Sequence, residues 1–440
     1  MDQYILGVDI GTTSVKVCIV NTKTSEVVAH QAKDTQSNIP SDVGSSGNEQ
    51  DVSTIISALN LCVSKLPKQQ LQDISKIGVC GQMHGVMLWN NDGERAWDMV
   101  EKDKSVRYDV VQNRVSTLYT WQDNRCDPCF LASTPKPQSH LTLASGFGTA
   151  TIFWLVKNKP EILEKYNCSG TIHDFAVAML CNLDKPIMSP QNAASWGYFD
   201  CTNYKWNCDI LENAGFPISL LPEVKQSSEM AGFLAENWHS IPKGTPIGVA
   251  LGDLQCSVLS TVETPEDAIL NISTSAQICF VAKDYSPNSG PPEVSPVQYF
   301  PYFKNQFIAV AASLNAKVWE KVIALSSECS AVSDLEIKPT CLGERHAPDL
   351  AASVQNIHVG NLQLGQVFRA ICRGLIENIH SMMPREILQN AKINRIVGNG
   401  SGLSRNPVLQ KEVQQLYQLP LVFTKGGDAA KGAALAVALD

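Results

Sequence analysis

One bend near the start of the chain combines an acidic side chain, a glycine and three hydroxyl side chains. Gly11 lacks a side chain, so the backbone can approach an anion closely, and the hydroxyls of Thr12, Thr13 and Ser14 can donate hydrogen bonds to phosphate oxygens. Asp9 would repel phosphate unless a cation lay between them, and Mg²⁺ that keeps part of its water suits that place. These residues predict a phosphate site with Mg²⁺; the plainer alternative is a polar turn that Asp9 caps.

A second bend of similar composition lies in the other half of the chain. The segment 271–275 includes Ser273, Thr274 and Ser275, and apolar strand-like residues stand on both sides of it. One hydroxyl-rich turn between strands is common, but two of them, one early in each half, indicate a duplicated domain. We therefore expect the two bends to face each other across a cleft and Ser273 and Thr274 to share in phosphate binding.

The elements that would position these bends follow a mixed α/β pattern. Period-2 apolar segments predict strands, and 3.6-residue periodicity predicts helices. The predicted strands are 4–9, 14–20, 25–32, 76–80 and 86–90, and the predicted helices are 53–66, 150–166, 172–181, 207–214, 363–382 and 405–418. Proline and glycine between 241 and 246 predict a domain border, which gives domains 1–246 and 247–440, and 286–296 is predicted as an exposed loop.

Composition narrows the class of protein. The chain has 440 residues, 44% of them hydrophobic, and a net charge of −8, so we expect a small-molecule partner and neither nucleic acid nor an anionic membrane surface. The start of the chain does not have the pattern of a signal peptide, and no apolar run reaches the length of a membrane span, so a cytoplasmic protein is expected. The sequence carries no signal of the oligomeric state.

The 14 cysteines are scattered through apolar segments, as reduced core thiols usually are. Cys126 and Cys129 form a lone CxxC pair without a second pair at zinc-site spacing. We expect neither disulfides nor a metal or redox role for these cysteines.

Residues 7–16 resemble the first phosphate motif of the FGGY carbohydrate kinases, a family with two actin-like, ribonuclease-H-like domains and a cleft between them. Five further segments resemble the family's other motifs and stand in the family's order, so the resemblance covers essentially the whole chain. They are the sugar-pocket motif at 81–85, the second sugar motif at 121–125, the catalytic-aspartate motif at 252–255, the adenosine motif at 398–402 and the closing helix at 427–434.

The resemblance implies an ATP-dependent kinase that phosphorylates the terminal hydroxyl of a ketose. It makes Asp253 the catalytic base, in contact with the substrate and with Mg²⁺, and Asp253 follows the apolar run 247–251, which places it at a strand end. The alternative for Asp253 is the N-cap of a helix, where Asp is favoured.

The resemblance also implies the residues that bind the two substrates. A polyol needs several hydrogen bonds beside an apolar wall. The implied sugar ligands are Gln82, Met83, His84, Trp121, Asp123 and Arg125, and the implied nucleotide ligands are Gly11, Thr12, Thr13, Ser14, Lys16, Ser273, Thr274, Gly400, Ser401 and Ser404. The turn at 398–402 follows a strand-like segment and precedes a predicted helix, which suits a nucleotide phosphate. For the histidine and the tryptophan the plainer alternative is core packing.

Three segments, 196–200, 271–275 and 342–346, are most similar to family members that phosphorylate a seven-carbon ketose. A pentulose kinase, a non-catalytic sugar-binding relative with a weakened ATP site, and an actin-like ATPase remain as alternatives. After Asn315 the chain continues with Ala316 and Lys317, where family members usually have glycines and another asparagine. This departure predicts a weakened nucleotide subsite, against the alternative of a harmless local rearrangement.

Overall fold

A computed structural model describes residues 3–102, 105–273, 275–288, 292–313, 315–325, 334–424 and 427–439. The chain forms two compact units, the first with residues 1–260, 286–293 and 428–440, and the second with residues 261–285 and 294–427. Each unit is built on one mixed β-sheet.

The sheet of the first unit has seven strands in the order β5-β6-β4-β1-β2-β3, and β7 pairs with β4. Strands β1, β2 and β3 are antiparallel neighbours, whereas β4 runs parallel to β1. The strands are Tyr4–Ile10 (β1), Ser14–Asn21 (β2), Val27–Asp34 (β3), Ile74–Gly81 (β4), Met230–Phe233 (β5), Pro246–Gly248 (β6) and Leu251–Gly252 (β7).

The sheet of the second unit repeats this plan with six strands in the order β10-β11-β9-β8-β12-β13. Strands β8, β9 and β11 are antiparallel neighbours, and β12 runs parallel to β8 as β4 does to β1. The strands are Asp267–Ile272 (β8), Ala276–Ala282 (β9), Gln298–Pro301 (β10), Phe307–Ser313 (β11), Arg395–Asn399 (β12) and Leu421–Phe423 (β13). The shared strand order confirms the duplication that the two bends predicted.

The described helices are Val52–Ser64 (α1), Lys68–Gln72 (α2), Pro128–Ser133 (α3), Gly148–Asn158 (α4), Pro160–Leu163 (α5), Ile172–Cys181 (α6), Pro190–Trp196 (α7), Cys208–Asn213 (α8), Asp253–Thr261 (α9), Ala316–Leu325 (α10), Leu364–Met382 (α11), Arg385–Asn390 (α12), Ser401–Ser404 (α13), Pro407–Tyr417 (α14) and Ala429–Ala436 (α15). Local sequence explains several of their ends. Asp51 caps α1 by accepting a hydrogen bond from the Thr54 N–H at 2.7 Å, and the predicted helix 150–166 is interrupted at Pro160.

Short strands in one three-stranded sheet and several two-stranded sheets complete the two units. They are Asn38–Ile39, Glu49–Gln50, Met87–Trp89, Trp97–Lys102, Ser105–Val110, Leu118–Tyr119, Cys168–Gly170, Ile187–Met188, Phe199–Asp200, Lys205–Trp206, Glu223–Val224, Glu336–Lys338 and Ser353–Gln355. Among the described residues, no helix has both the length and the apolar composition that crossing a membrane requires. The cysteines in the described part of the chain are free thiols.

The division into units differs from the predicted border at 246/247. Ile247 of β6 pairs with Ile77 of β4, and Leu251 of β7 pairs with Cys80, so this segment belongs to the first sheet. The proline- and glycine-containing stretch before it is a turn within the first unit, and the unit continues to Ser260.

The last helix, α15, returns to the first unit because glycines on two strands let it approach closely. A Cβ atom added to Gly7 would lie 1.9 Å from the backbone oxygen of Ala430, and one added to Gly78 would lie 2.0 Å from that of Ala433. Small side chains on both sides therefore place α15 directly against β1 and β4. This packing brings Asp428, the residue before α15, into the first unit.

Candidate active site

Asp9, the first sugar motif and Asp253 lie at the carboxyl ends of three neighbouring parallel strands. Asp9 of β1 is opposite Cys80 of β4, and Gly252 of β7 is opposite Gly81. The sugar motif begins directly after β4, and Asp253 directly after β7. Ligands of open α/β sheets bind at the carboxyl ends of such strands. The register therefore brings together groups that are far apart in sequence.

Asp9 is a buried carboxylate, with 5% of its surface exposed. Lys16, its partner across the β1–β2 hairpin, has its Nζ atom 4.0 Å from Asp9 Oδ2. Burial, together with the charges of Asp253 and Asp428, raises the pKa of Asp9 to about 7, and the charge of Lys16 opposes this rise. Three carboxylates of the first unit therefore influence one another electrostatically.

Asp253 is both a strand-end carboxylate and the first residue of α9, so the two alternatives of the sequence analysis coexist. Its Oδ1 atom accepts a hydrogen bond from the Leu254 N–H at 2.8 Å. Burial raises the pKa of Asp253 to about 6, while this N–H and Lys16 lower it. A carboxylate with this pKa is ionised at neutral pH and is a stronger base than an exposed one.

The donor set fits a hydrated Mg²⁺ ion. Asp9 and Asp253 supply hard oxygen ligands, and their raised pKa values mean that a cation between them would relieve an unfavourable charge. Within the described residues, no group of three or more His, Cys, Asp or Glu side chains could hold a metal ion by itself. The two carboxylates Asp9 and Asp253 match the number that Mg²⁺ usually takes, since it fills its other positions with water and substrate phosphates.

The first bend is linked to the second sugar motif through Thr12. The Thr12 hydroxyl accepts a hydrogen bond from Trp121 Nε1 at 2.8 Å and lies 3.4 Å from Gln82 Oε1, to which it donates. Its backbone oxygen accepts a hydrogen bond from Gln50 Nε2 at 2.7 Å. The structure thus places the Thr12 hydroxyl, predicted as a phosphate donor, between two predicted sugar residues. Thr13 is the exposed hydroxyl residue of this bend.

The sugar motif at 82–84 is held in a defined conformation beside the catalytic strand. Gln82 is buried, and Met83 lies against Gly252, where an added Cβ atom would be 2.7 Å from the Met83 sulfur. His84 has a φ angle of +73°, in the left-handed region, and its ring stacks on Phe147 with 4.7 Å between centroids. The structure therefore brings Gln82, Met83 and His84 to the same strand ends as Asp253.

Asp123 and Arg125 form a buried ion pair. Arg125 donates to Asp123 from Nε at 2.8 Å and to Glu49 at 2.7 Å, and its guanidinium lies 4.4 Å from the centre of the Tyr119 ring. Asp123 also accepts from the Asn48 N–H at 2.8 Å. In this structure both side chains therefore bind protein groups in and around the second sugar motif.

The second unit places the other predicted nucleotide residues beside each other. In the bend after β8 the Ser273 N–H donates to the Ser275 oxygen at 2.9 Å, as Gly11 donates to Ser14 at 3.0 Å in the first bend. Gly400 has a φ angle of +84°, and a Cβ atom there would lie 2.4 Å from the Ile272 oxygen. Ser401 and Ser404, at the two ends of α13, are exposed. Thr274 lies outside the described residues.

Asn315 is the residue after which the chain departs from the family pattern. Its side chain organises a loop of the second unit. Its side chain is buried and donates to Glu344 Oε1 at 2.9 Å and to the Gly343 oxygen at 3.0 Å, and it accepts from the Leu342 N–H at 2.9 Å. Helix α10 begins at the next residue, Ala316. Leu314 and the side chain of Lys317 lie outside what the structure describes.

Sequence reasoning missed the polar residues of α7 and α6 that contact the site. Gln191 Oε1 accepts from the Gly252 N–H at 3.1 Å, and Asn192 Nδ2 lies 2.9 Å from His173 Nε2. The available signal was Ser189 followed by Pro190, which is typical of an N-cap and the first residue of a helix. Helix α7 has seven residues, too few for a clear period.

The chain belongs to the FGGY family of carbohydrate kinases. The model of the family's N-terminal domain matches residues 4–260. It is an ATP-dependent carbohydrate kinase, as the ordered motifs predicted.

The chain is 46% identical to sedoheptulokinase from Mus musculus and 44% identical to sedoheptulokinase from Homo sapiens. Each match covers 98% of this chain and 96% of the relative. The crystal structure of a xylulose kinase from Brucella ovis superimposes with a TM-score of 0.78 at 21% identity, over 100% of this chain and 91% of that one. This likeness confirms the predicted fold class, two actin-like domains of mixed α/β structure; the cleft between the domains stays a prediction.

Proposed function

We infer that this protein transfers the γ-phosphoryl group of ATP to the terminal hydroxyl of sedoheptulose, giving sedoheptulose 7-phosphate. The observation that carries this inference is the near-complete match to two sedoheptulokinases, at 46% and 44% identity. The placement of Asp253 after strand β7 supports it, because ligands of open α/β sheets bind at the carboxyl ends of such strands.

Asp253 acts as the general base in this proposal. Its carboxylate accepts the proton of the terminal hydroxyl while the hydroxyl oxygen bonds to the γ-phosphorus, and the bond between that phosphorus and the bridging oxygen of ADP breaks. Phosphoryl transfer depends mainly on alignment and charge neutralisation, so the protein's main task is to hold the two oxygens in line.

Mg²⁺ would be held by Asp9 and Asp253 and would neutralise phosphate charge near the reacting oxygens. Phosphate groups would take hydrogen bonds from the hydroxyls of the bends and from backbone N–H groups other than those of Gly11 and Ser273, which donate within their own bends. The proposed nucleotide residues are Gly11, Thr12, Thr13, Ser14, Lys16, Ser273, Thr274, Gly400, Ser401 and Ser404. For Thr12 we propose the backbone N–H, since its hydroxyl is bonded to Trp121 and Gln82.

The proposed sugar-contacting residues are Gln82, Met83, His84, Trp121 and Asp253. We assign Asp123 and Arg125 an indirect part, because they bind each other and Glu49. The ion pair would fix the segment that carries Trp121. The sugar would then meet the indole edge and the Met83 side chain as its apolar wall.

The test is a substrate panel with the purified chain, in which ADP release is measured with sedoheptulose, xylulose, ribulose and glycerol. We expect the highest kcat/KM with sedoheptulose, and some activity with xylulose, since one added hydroxymethine is discriminated strongly only by a dedicated polar partner. A tenfold higher kcat/KM for xylulose would overturn the heptulose assignment and leave the kinase. ATP consumption that no sugar stimulates would favour the non-catalytic alternative.

A further inference from the structure

Helix α7 holds the segment that leads into Asp253 by two side-chain hydrogen bonds. Gln191 Oε1 accepts from the Gly252 N–H at 3.1 Å, and Asn192 Nδ2 donates to the Ala250 oxygen at 3.1 Å. Strand β7 has only two residues, so its pairing with β4 restrains only a short stretch of backbone. The two amides of α7 therefore determine where the backbone before Asp253 lies.

The same helix holds the sugar motif. The Ser195 backbone oxygen lies 2.8 Å from His84 Nδ1, and Trp196 Nε1 donates to the Gly85 oxygen at 3.0 Å. His84 needs such support, because its left-handed backbone conformation is unfavourable for a residue with a side chain. Successive turns of one short helix thus contact both the base-bearing strand and the sugar-motif turn.

Helix α7 is itself fixed in place. All seven of its residues are buried, and Ser189 caps its first turn by accepting from the Asn192 N–H at 3.4 Å. The Trp196 ring packs on Gly148, where an added Cβ atom would lie 2.4 Å from the ring. The Thr149 hydroxyl donates to the Trp196 oxygen at 2.6 Å. The helix therefore keeps the groups at its two ends at a fixed distance from each other.

Two polar atoms of α7 point to a purpose other than stability. Gln191 Nε2 and Asn192 Oδ1 are buried and have no hydrogen-bond partner within the described structure. Such atoms destabilise a fold, and an apolar side chain would avoid the cost. The other polar atom of each side chain holds the segment before Asp253: Gln191 Oε1 accepts from the Gly252 N–H, and Asn192 Nδ2 donates to the Ala250 oxygen and also lies 2.9 Å from His173 Nε2. These contacts accompany the cost of the two unpaired atoms.

We propose that α7 is a positioning element that sets the distance between the base Asp253 and the sugar motif, with Gln191 fixing Asp253 and Trp196 fixing the turn at His84. The inference rests on the proposed roles of Asp253 and His84. Neither Gln191 nor Trp196 touches the reacting atoms in this account. A displacement of about 1 Å at a reacting group costs on the order of 10²-fold in rate, so even a small shift of β7 is measurable.

The first arm of the test is Gln191→Met, which keeps the length of the side chain and removes the acceptor. The matched control is Asn60→Leu, which removes a buried amide that donates to the Ile56 and Tyr108 oxygens at 3.0 and 2.7 Å, away from the strand ends. We expect Gln191→Met to lower kcat roughly 10- to 100-fold with a sugar KM within about threefold of wild type. Asn60→Leu should lower thermal stability and leave kcat within about twofold.

The second arm is Trp196→Phe, which keeps ring packing and removes the indole N–H. It should raise the sugar KM at least about fivefold, because the turn at His84 loses its bond to Gly85, and should alter kcat less than Gln191→Met does. Equal kcat values for Gln191→Met and Asn60→Leu would overturn the proposal, as would an unchanged sugar KM for Trp196→Phe. Asp253→Asn, assayed in parallel, separates the proposed base from the proposed positioning helix. If this variant retains turnover, the base assignment fails. If it is the only variant that loses turnover, the base assignment stands and the role of α7 fails.

Discussion

Replacing Asp253 by Asn should abolish most of the activity and at the same time stabilise the fold. The substitution removes the proton acceptor and keeps the shape of the side chain. The Asn side-chain oxygen can still accept a hydrogen bond from the Leu254 N–H in the first turn of α9. General-base catalysis typically contributes 10²–10⁴-fold, so kcat should fall by roughly that factor. Affinity for sugar and nucleotide should change much less.

The stabilisation follows from the raised pKa of Asp253. Burial raises this pKa from 3.8 to about 6, so the folded protein binds a proton that an unfolded chain has already released, and stability falls as pH rises from about 4 to about 6. For a fully buried group this difference corresponds to on the order of 3 kcal/mol, and solvent around the partly exposed side chain reduces it to about 1–2 kcal/mol. Above pH 6, Asp253→Asn should therefore raise the free energy of unfolding by that amount.

The pH dependence of the wild-type rate should report the ionisation of Asp253. In the protein without Mg²⁺ only about a tenth of Asp253 is ionised at pH 5, so kcat/KM for Mg·ATP, which reports the enzyme before Mg²⁺ binds, should fall roughly tenfold between pH 7.5 and pH 5. The variant should lack this acidic limb. Coupled detection of ADP gives the rates, and thermal and urea unfolding without ligands at pH 7.5 gives the stabilities.

The matched control is Asp267→Asn in the second unit. Although burial opposes it, hydrogen bonds from Arg395 and neighbouring groups lower the pKa of Asp267 to about 2, so its ionised form stabilises the fold. Asp267 begins β8, at the opposite end of that strand from the bend at 273. This control should lose stability and keep its turnover. A variant of Asp253 with more than half of wild-type turnover, or with lower stability at pH 7.5, would refute the reasoning.

Three further outcomes are expected. Asp9→Ala should raise the Mg²⁺ concentration needed for half-maximal rate while sugar binding without nucleotide, measured by calorimetry, stays near normal; equal Mg²⁺ dependence in both proteins would return Asp9 to the role of a turn cap. Insertion of Gly-Gly-Asn after Asn315 should tighten ATP binding by on the order of 1–3 kcal/mol without changing the sugar preference, and sugar-stimulated Mg·ATP binding of equal strength in the unmodified chain would show that the departure is harmless. Arg125→Met should destabilise the first unit by about 3–5 kcal/mol in urea unfolding, because Asp123 and Glu49 are left buried without their cation, whereas Arg107→Met, at an exposed pair, should change it by less than about 1 kcal/mol; similar losses for the two would contradict the buried-pair account.

The sequence by itself determined the elements with strong local periodicity. The strands predicted at 4–9 and 14–20 are Tyr4–Ile10 and Ser14–Asn21, and the helix predicted at 172–181 is Ile172–Cys181. Apolar period and capping act over a few residues, so they can be read without knowing the fold. The ordered motifs likewise identified the family, because each motif is a short segment that can be recognised without knowing the fold.

Only the tertiary structure decided how these segments share their contacts. The Thr12 hydroxyl lies between Trp121 and Gln82, and Gln191 holds Gly252, pairs separated by 109, 70 and 61 positions. Local sequence carries no information about such partners, since any polar side chain of suitable length has the same appearance in sequence. For the same reason the ion pair of Arg125 with Asp123 was not foreseen, and the predicted contact of Arg125 with a sugar stays a prediction. Long-range strand register determined which polar groups face a ligand and which hold those groups in place.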